Sequence, residues 1–365
     1  MTAKLVFENL KHKPMRSLLS FLLIGIPVTL ILTLVGMANG MLQDSRNRAR
    51  GVGADLVVRG PGTTSVVNLG PPAVPEGYVK FLRTEVPHVT MATGVVNHLV
   101  DFPVVMAGID QEQFDRMSGG FEYVEGYQLS GPDDILVERL YASQKKLHVG
   151  QNFSLINHTW HVVGIIEGGK LARIVVPIET LQSLDSILGK VSQIWVKLDS
   201  PANDEAVIQD IQSRTDLKVN TMEDFTLMFS VNNIHGVTEF IYVIMGIGVV
   251  IGFAVVCLSM YMSVLQRTRE IGILKSLGAS KSFILRIILA EAVVLGIGGT
   301  VIGILMSYGA WWLIRTFVPA SLPMIIMYAW WPIAGAVTLV GALLGALYPG
   351  LSAARHDPIE ALAYE

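Results

Sequence analysis

Four runs of apolar residues, each too long and too free of charge for the core of a soluble domain, set the limits on what this chain can fold into. Crossing the roughly 30 Å hydrocarbon layer takes about 20 helical residues at about 1.5 Å rise each. Leu18 to Met41, Phe240 to Leu265, Ala292 to Leu313 and a stretch within Leu322 to Ala354, best placed at Trp330 to Tyr348, meet that length without a Lys or Arg at the centre. Composition agrees. Of 365 residues, 51% are hydrophobic and only 16% charged, against about a quarter charged in a soluble protein. The first run is longer than the roughly 7 to 15 residues of a signal-peptide core and lacks a clear A-x-A site, so it reads as a retained anchor.

Orientation follows from the bias of basic residues toward the cytoplasm. Lys4, Lys11, Lys13 and Arg16 precede the first run, and Arg267, Arg269, Lys275, Lys281 and Arg286 fill the loop between the second and third. The link between the third and fourth holds Pro319 and Pro323 and no basic residue after Arg315. Arg46, Arg48 and Arg50 dissent, but they open a long domain, and long domains translocate largely regardless of charge. The expected order is therefore an amphipathic cytoplasmic segment 1–17, a first transmembrane helix 18–42, an extracytoplasmic domain 43–237, a second helix 238–265, a cytoplasmic coupling helix 266–283, a third helix 284–316, a fourth 324–350 and a cytoplasmic tail 351–365. The fold class is an α-helical membrane protein with four transmembrane helices and an inserted extracytoplasmic α/β domain carrying a β-rich subdomain.

Within that domain, strands are expected at 55–58, 89–96, 193–198 and 217–220, and helices at 76–85 and 203–214, which group into two β-α-β units. The middle, about 104–185, with short strands near Val162 to Ile166 and Ile174 to Val176, reads as a β-rich insertion between two halves of one α/β unit. Cys257 is the single cysteine, so the domain must be stable without an intrachain disulfide. The net charge of -3, with no basic tract, offers nothing to nucleic acid.

Motifs for chemistry fail on inspection. GIIEGGKL, Gly164 to Leu171, matches G-x-x-x-x-G-K, but Leu171 stands where a Ser or Thr must hold magnesium, and Ile174 to Pro177 reads as a strand rather than a helix. A hairpin turn at Glu167 to Lys170 is the expected structure. His158 and His161 are three apart in a strand or turn and face opposite sides, with no carboxylate cluster to complete a metal site. Asn152 and Asn157 head formal glycosylation sequons. Glu291 is the one acid near a membrane run and would be a proton or ion site in a secondary transporter. Its position near Arg286 places it toward the cytoplasmic end, where a structural role is expected. Gly248 with Gly252, Gly299 with Gly303, and Gly341 with Gly345 have G-x-x-x-G spacing, which permits close helix approach within or between protomers.

The loop QRTREIGILKSLGASKS, Gln266 to Ser282, is the most informative stretch. Ile271, Leu274 and Leu277, or Ile273 and Leu277, mark an apolar helical stripe, Gly278 is placed to end that helix and Ser280 to cap the next. Exposing those side chains would be costly without a membrane surface or a protein partner, and a protein partner is the favoured reading.

Three separated signatures resemble the MacB/FtsX-like permease family of ABC systems. They are Asn9-Leu10 with RSLL from Arg16, REIGILKSLGAS from Arg269 to Ser280, and Tyr348-Pro349 with AARHDPIEAL from Ala353. The resemblance implies a non-catalytic permease in a bacterial cytoplasmic (inner) membrane, with both termini cytoplasmic. It implies pairing with a second permease, as a homo- or heterodimer, each chain docking an ABC ATPase through Arg269, Glu270, Ile273, Leu274, Lys275, Gly278, Ala279 and Ser280. No cofactor is expected in this chain; ATP and magnesium belong to the partner ATPase, expected as a separate subunit. The family's implied mechanism is mechanotransmission, in which ATP-driven closure moves the outside domain against a membrane-fusion adaptor or lipoprotein chaperone and so drives export. The alternative is a regulator that activates a cell-wall hydrolase and transports nothing.

Overall fold

The computed structural model describes residues 14–61, 74–101, 104–229, 237–266, 268–317 and 323–355. Asn9, Leu10 and the tail signature beyond Arg355 lie outside the described residues. In chain order the elements are α1 (Pro14–Arg50), β1 (Leu56–Arg59), β2 (Val74–Pro75), α2 (Gly77–Glu85), β3 (Val89–Asp101), β4 (Val104–Ile109), α3 (Gln111–Ser118), β5 (Tyr123–Gly126), β6 (Asp134–Glu138) and α4 (Arg139–Lys145). They continue with β7 (Asn152–Leu155), β8 (His158–Ile166), β9 (Ile174–Pro177), α5 (Ile178–Leu184), β10 (Lys190–Val191), β11 (Gln193–Leu198), α6 (Asp204–Arg214), β12 (Lys218–Thr221) and α7 (Met222–Met228). The last four helices are α8 (Val237–Gln266), α9 (Thr268–Ser276), α10 (Lys281–Phe317) and α11 (Trp331–Arg355). The chain divides into a helical unit, holding α1 up to Ala38 with α8, α9, α10 up to Ile314 and α11, and an α/β unit that begins at Asn39, runs through α7 and takes in the end of α10 from Arg315.

Helices α1, α8, α10 and α11 are each long and apolar enough to cross a membrane. Helix α1 has 37 residues, about 55 Å at the usual rise, and so outruns the expected end at residue 42. No breaker follows Met41: Asp44 and Arg48 pair one turn apart at 2.9 Å, and the helix stops only at Gly51 and Gly53, the latter at φ 78°.

Ten strands of the α/β unit form one sheet in the order β12-β1-β11-β3-β4-β9-β6-β8-β5, with β7 on β8; β2 and β10 make a separate pair. The two β-α-β units are interleaved. Strand β11 lies antiparallel between β1 and β3, and β1 lies antiparallel between β11 and β12. Strands β4 to β9 lengthen this same sheet through the β3–β4 pairing. Both faces are buried. Leu56, Val58, Val96, Val137 and Val196 face α2, α4, α5 and α6, while Val57, Val95, Leu136 and Trp195 face the end of α1 with α3 and α7. Double burial explains why β1 and β6 contain no exposed residue, unlike the alternation of a half-solvated sheet.

The expected hairpin at Glu167 to Lys170 is corrected by the topology. Strands β8 and β9 flank β6 and do not pair, so the loop crosses over an intervening strand. Lys170 Nζ donates to the carbonyls of Ser118, at 3.0 Å, and Gly120, closing the C-terminal end of α3. A cation there complements the helix dipole. The two-residue turn between β7 and β8 holds Ile156 and Asn157 at φ 51° and 58°, the geometry of a type I′ hairpin. His158 contacts Asp133 and His161 contacts Asn152, on separate partners.

Candidate functional site

Helix α9 has nine residues, and its ends are specified residue by residue. The Ala279 amide donates to the Leu274 carbonyl at 2.9 Å and the Gly278 amide to that of Lys275 at 3.0 Å. With Gly278 at φ 95°, this is a Schellman stop, which a residue with a Cβ would strain. Ser280 Oγ then accepts from the Phe283 amide at 3.2 Å and caps α10. Lys275 Nζ donates to the Ala354 carbonyl at 3.0 Å, tying α9 to the last turn of α11.

The apolar stripe divides in two. Gly272 is buried and Ile271 packs against the cluster of Val264, Ile284 and Ile288, so Ile271 does not belong to the free face. Ile273, Leu274 and Leu277 are 44%, 37% and 80% exposed, and Arg269 and Glu270 are exposed beside them. At helical spacing, Glu270, Ile273, Leu274 and Leu277 lie on one side. Ala279 is half-buried and Ser280 exposed in the connection. The sequence-predicted residues thus fall into an outward apolar face and a set of positioning contacts.

The helices around α9 meet through glycine. A Cβ at Gly303 would lie 2.8 Å from the Gly25 carbonyl, and one at Gly341 would lie 2.9 Å from that of Val249. Gly299 and Gly345 make similarly close approaches to α1 and α8, whereas a Cβ at Gly252 would meet nothing within 4 Å. Two of the three G-x-x-x-G pairs therefore build contacts within the chain. Glu291 is 7% exposed in α10.

A second constellation lies in the α/β unit, where α1 ends. Arg48 reaches Glu138 Oε2 at 2.6 Å and Asp44 at 2.9 Å, while Arg173 reaches Asp44 at 2.8 Å and Glu138 at 3.5 Å. The side chains of Arg48, Arg173 and Glu138 are at most 10% exposed. Burial opposes the charge on Arg48, but Glu138 and Asp44 outweigh it and hold its pKa above the usual value. Burial and the adjacent Arg48 push that of Arg173 down. Sequence reasoning missed this network. Its one local signal was the Asp44/Arg48 spacing, because Glu138 and Arg173 lie 90 and 125 residues away from Arg48.

Residues 17–214 match the model of the MacB-like periplasmic core domain, and residues 242–358 match that of the FtsX-like permease C-terminal region. The chain belongs to the MacB/FtsX-like permease family of ABC transporters. Among its relatives, the uncharacterized ABC transporter permease YknZ of Bacillus subtilis is 43% identical over 131 residues, covering 35% of this chain and 32% of YknZ. The macrolide export ATP-binding/permease protein MacB of Rhodopirellula baltica is 35% identical over 188 residues, 48% of this chain and 27% of that one. An uncharacterized ABC transporter permease of Methanocaldococcus jannaschii is 22% identical across 98% of this chain and 96% of its own length. The chain thus matches about a third or less of the first two relatives' length. The periplasmic region of MacB from Actinobacillus actinomycetemcomitans superposes with a TM-score of 0.37 at 14% identity, covering 51% of this chain and 97% of that one. In this permease, α9 and the helices that hold it fall within the FtsX-like match, and the Arg48 network within the MacB-like match.

Proposed function

We propose that this permease couples ATP hydrolysis by a separate ABC ATPase to movement of its α/β domain, with α9 as the docking element and the cytoplasm as its compartment. The observation that carries this reading is the outward face of Ile273, Leu274 and Leu277 on a helix pinned by a Schellman stop, a Ser cap and the Lys275 contact. Apolar side chains held in place on an exposed helix favour a protein partner over solvent. Helix α1 supports transmission, since one unbroken helix supplies Ile24 to the helical core and Ala49 to the sheet core. The ATP and magnesium would be held by the ATPase, and a second permease would complete the assembly. Macrolide export, named for the MacB relatives, makes outward export with an adaptor or lipoprotein chaperone the first activity to examine.

The test is purification of the tagged chain in mild detergent, mass spectrometry of what co-purifies, and an ATPase assay. Recovery of an ABC ATPase that Leu277→Asp releases from an otherwise folded permease is the expected result. Recovery unaffected by Leu277→Asp and Ile273→Asp would remove α9 from the role. An adaptor in the complex supports export; a cell-wall hydrolase in its place supports regulation.

A further inference from the structure

The arginine that ends β1 is buried without a counter-charge among the described residues. Arg59 is 4% exposed, and its Nε has no hydrogen-bond partner among the described residues. Its Nη2 donates to Asn220 Oδ1 at 2.8 Å and approaches Met228 Sδ at 3.6 Å, and the guanidinium lies over the Phe225 ring at 5.4 Å. These are neutral partners, and among the described residues no carboxylate is within ion-pair distance. Burial accordingly lowers its pKa. A desolvated, unpaired cation is expensive.

Neighbouring charge makes the imbalance worse. Arg59 stands directly opposite Lys218 in the β1–β12 register, a like-charge pair that a sheet ordinarily avoids. On the same short helix, Arg46 Nε donates to the Thr226 carbonyl at 3.1 Å and Arg50 Nη2 to the Thr226 hydroxyl at 3.5 Å. Arg46, Arg50 and Arg59 therefore contact residues 220–226, and Lys218 adds a fourth cation at the start of the same segment. The acids of α7, Glu223 and Asp224, lie in its first turn, where Asp224 accepts from the capping Thr221 hydroxyl at 2.8 Å, and neither forms an ion pair with Arg59. The adjoining sequences, Gly60 to Ala73 and Phe229 to Gly236, contain no Asp or Glu. Among the described residues no carboxylate pairs with Arg59, which leaves room for an external anion.

We infer that Arg59, Lys218, Arg46 and Arg50 form a phosphate-binding site for the headgroup of an anionic phospholipid. Guanidinium and ammonium groups in this number suit phosphate oxygens. The source is argued from chain position. Arg46 follows the end of the first apolar run by five residues, about 7.5 Å along a helix, and α7 ends nine residues before α8 begins. Leu227, on α7, is 55% exposed and can enter the acyl boundary as cations meet headgroups. The inference depends on α1 crossing the bilayer and not on any ATPase.

The test is native mass spectrometry of the full detergent-purified chain titrated with phosphatidylglycerol, with phosphatidylcholine and inorganic phosphate as separate arms. Phosphatidylglycerol is expected to remain bound in preference to phosphatidylcholine, with affinity falling about tenfold in Arg59→Gln and in Lys218→Gln. Lys218 is exposed, so its substitution leaves the fold intact if Arg59→Gln does not. Equal phosphatidylglycerol retention in wild type and Lys218→Gln overturns the site. Displacement of the lipid by inorganic phosphate at millimolar concentration assigns the site to a free anion and overturns the lipid.

Discussion

The α/β domain and the helical unit reach close packing by opposite means. The domain carries Arg48, Arg173 and Glu138 inside its core and, together with the less buried Asp44, pairs two arginines with two carboxylates. The helical unit brings backbones together at Gly25, Gly303 and Gly341, where no side chain intervenes. The first arrangement depends on complementary charge at a distance in sequence, the second on the absence of a Cβ. In a bilayer the hydrophobic effect does not hold helices to one another, so close van der Waals approach takes its place. In water, burying a charge is costly unless it is paired.

The largest effect should come from breaking the charge network. Glu138→Ala leaves the two buried guanidinium groups of Arg48 and Arg173 with Asp44 as their one shared carboxylate among the described residues, at a cost of about 3 kcal/mol. Thermal unfolding of the purified chain, with hydrogen exchange read over β6 and β9, should show the loss in the α/β domain and none in α8 to α11. Replacing Arg48, Glu138 and Arg173 together by Met, Leu and Met should recover much of it. A loss from Glu138→Ala no greater than that of a surface charge would mean that the network contributes little.

Next comes Gly303→Val, which drives a side chain into Val28 and the Gly25 carbonyl. Overpacking of this kind costs about 1–3 kcal/mol. Gly252→Val, in open space, should leave the melting temperature unchanged in the same detergent. Equal destabilisation by both would remove the distinction between glycine at a helix contact and glycine as helix background.

Sequence legibility differs between the regions for the same physical reasons. The four apolar runs were readable because a bilayer imposes length and charge rules on contiguous residues. Strand β11 occupies the expected 193–198 because Gln193–Leu198 is a continuous β-prone stretch. The stop at Gly278 and the cap at Ser280 were readable too, being local motifs. What sequence could not supply was pairing across distance. It did not reveal that β11 enters between β1 and β3, that β6 separates β8 from β9, or that Ile271 turns inward while Leu277 stays out. Arg46, Arg48 and Arg50 looked like an exception to the charge rule; each has a partner within the α/β domain.

A smaller effect tests the boundary of the helical unit. Gly278→Ala forces an L-residue to φ 95° and should cost about 1 kcal/mol locally. The melting temperature should move little, but α9 should be reoriented and ATPase stimulation in the recovered complex should fall several-fold. Unchanged stimulation would show that the Schellman stop is not needed to aim Ile273 and Leu277.

The smallest effect concerns pH and separates an ordinary paired carboxylate from the network. Burial raises the pKa of Asp134, but the amides of Gly131 and Ser130, at 2.6 and 2.8 Å, and the Ser130 hydroxyl outweigh it and leave the carboxyl below its usual value. A depressed carboxylate adds stability above its unfolded pKa of about 3.9 and loses that contribution as pH falls through the folded value. Asp134→Asn should therefore melt below wild type at neutral pH, and the two curves should converge as pH falls below about 4. Asp115 works in reverse, because burial raises its pKa and acid relieves the penalty, so Asp115→Asn should not reproduce the convergence. A constant gap between wild type and Asp134→Asn from neutral to acid pH would assign the loss to packing of the turn at Gly131 rather than to its charge.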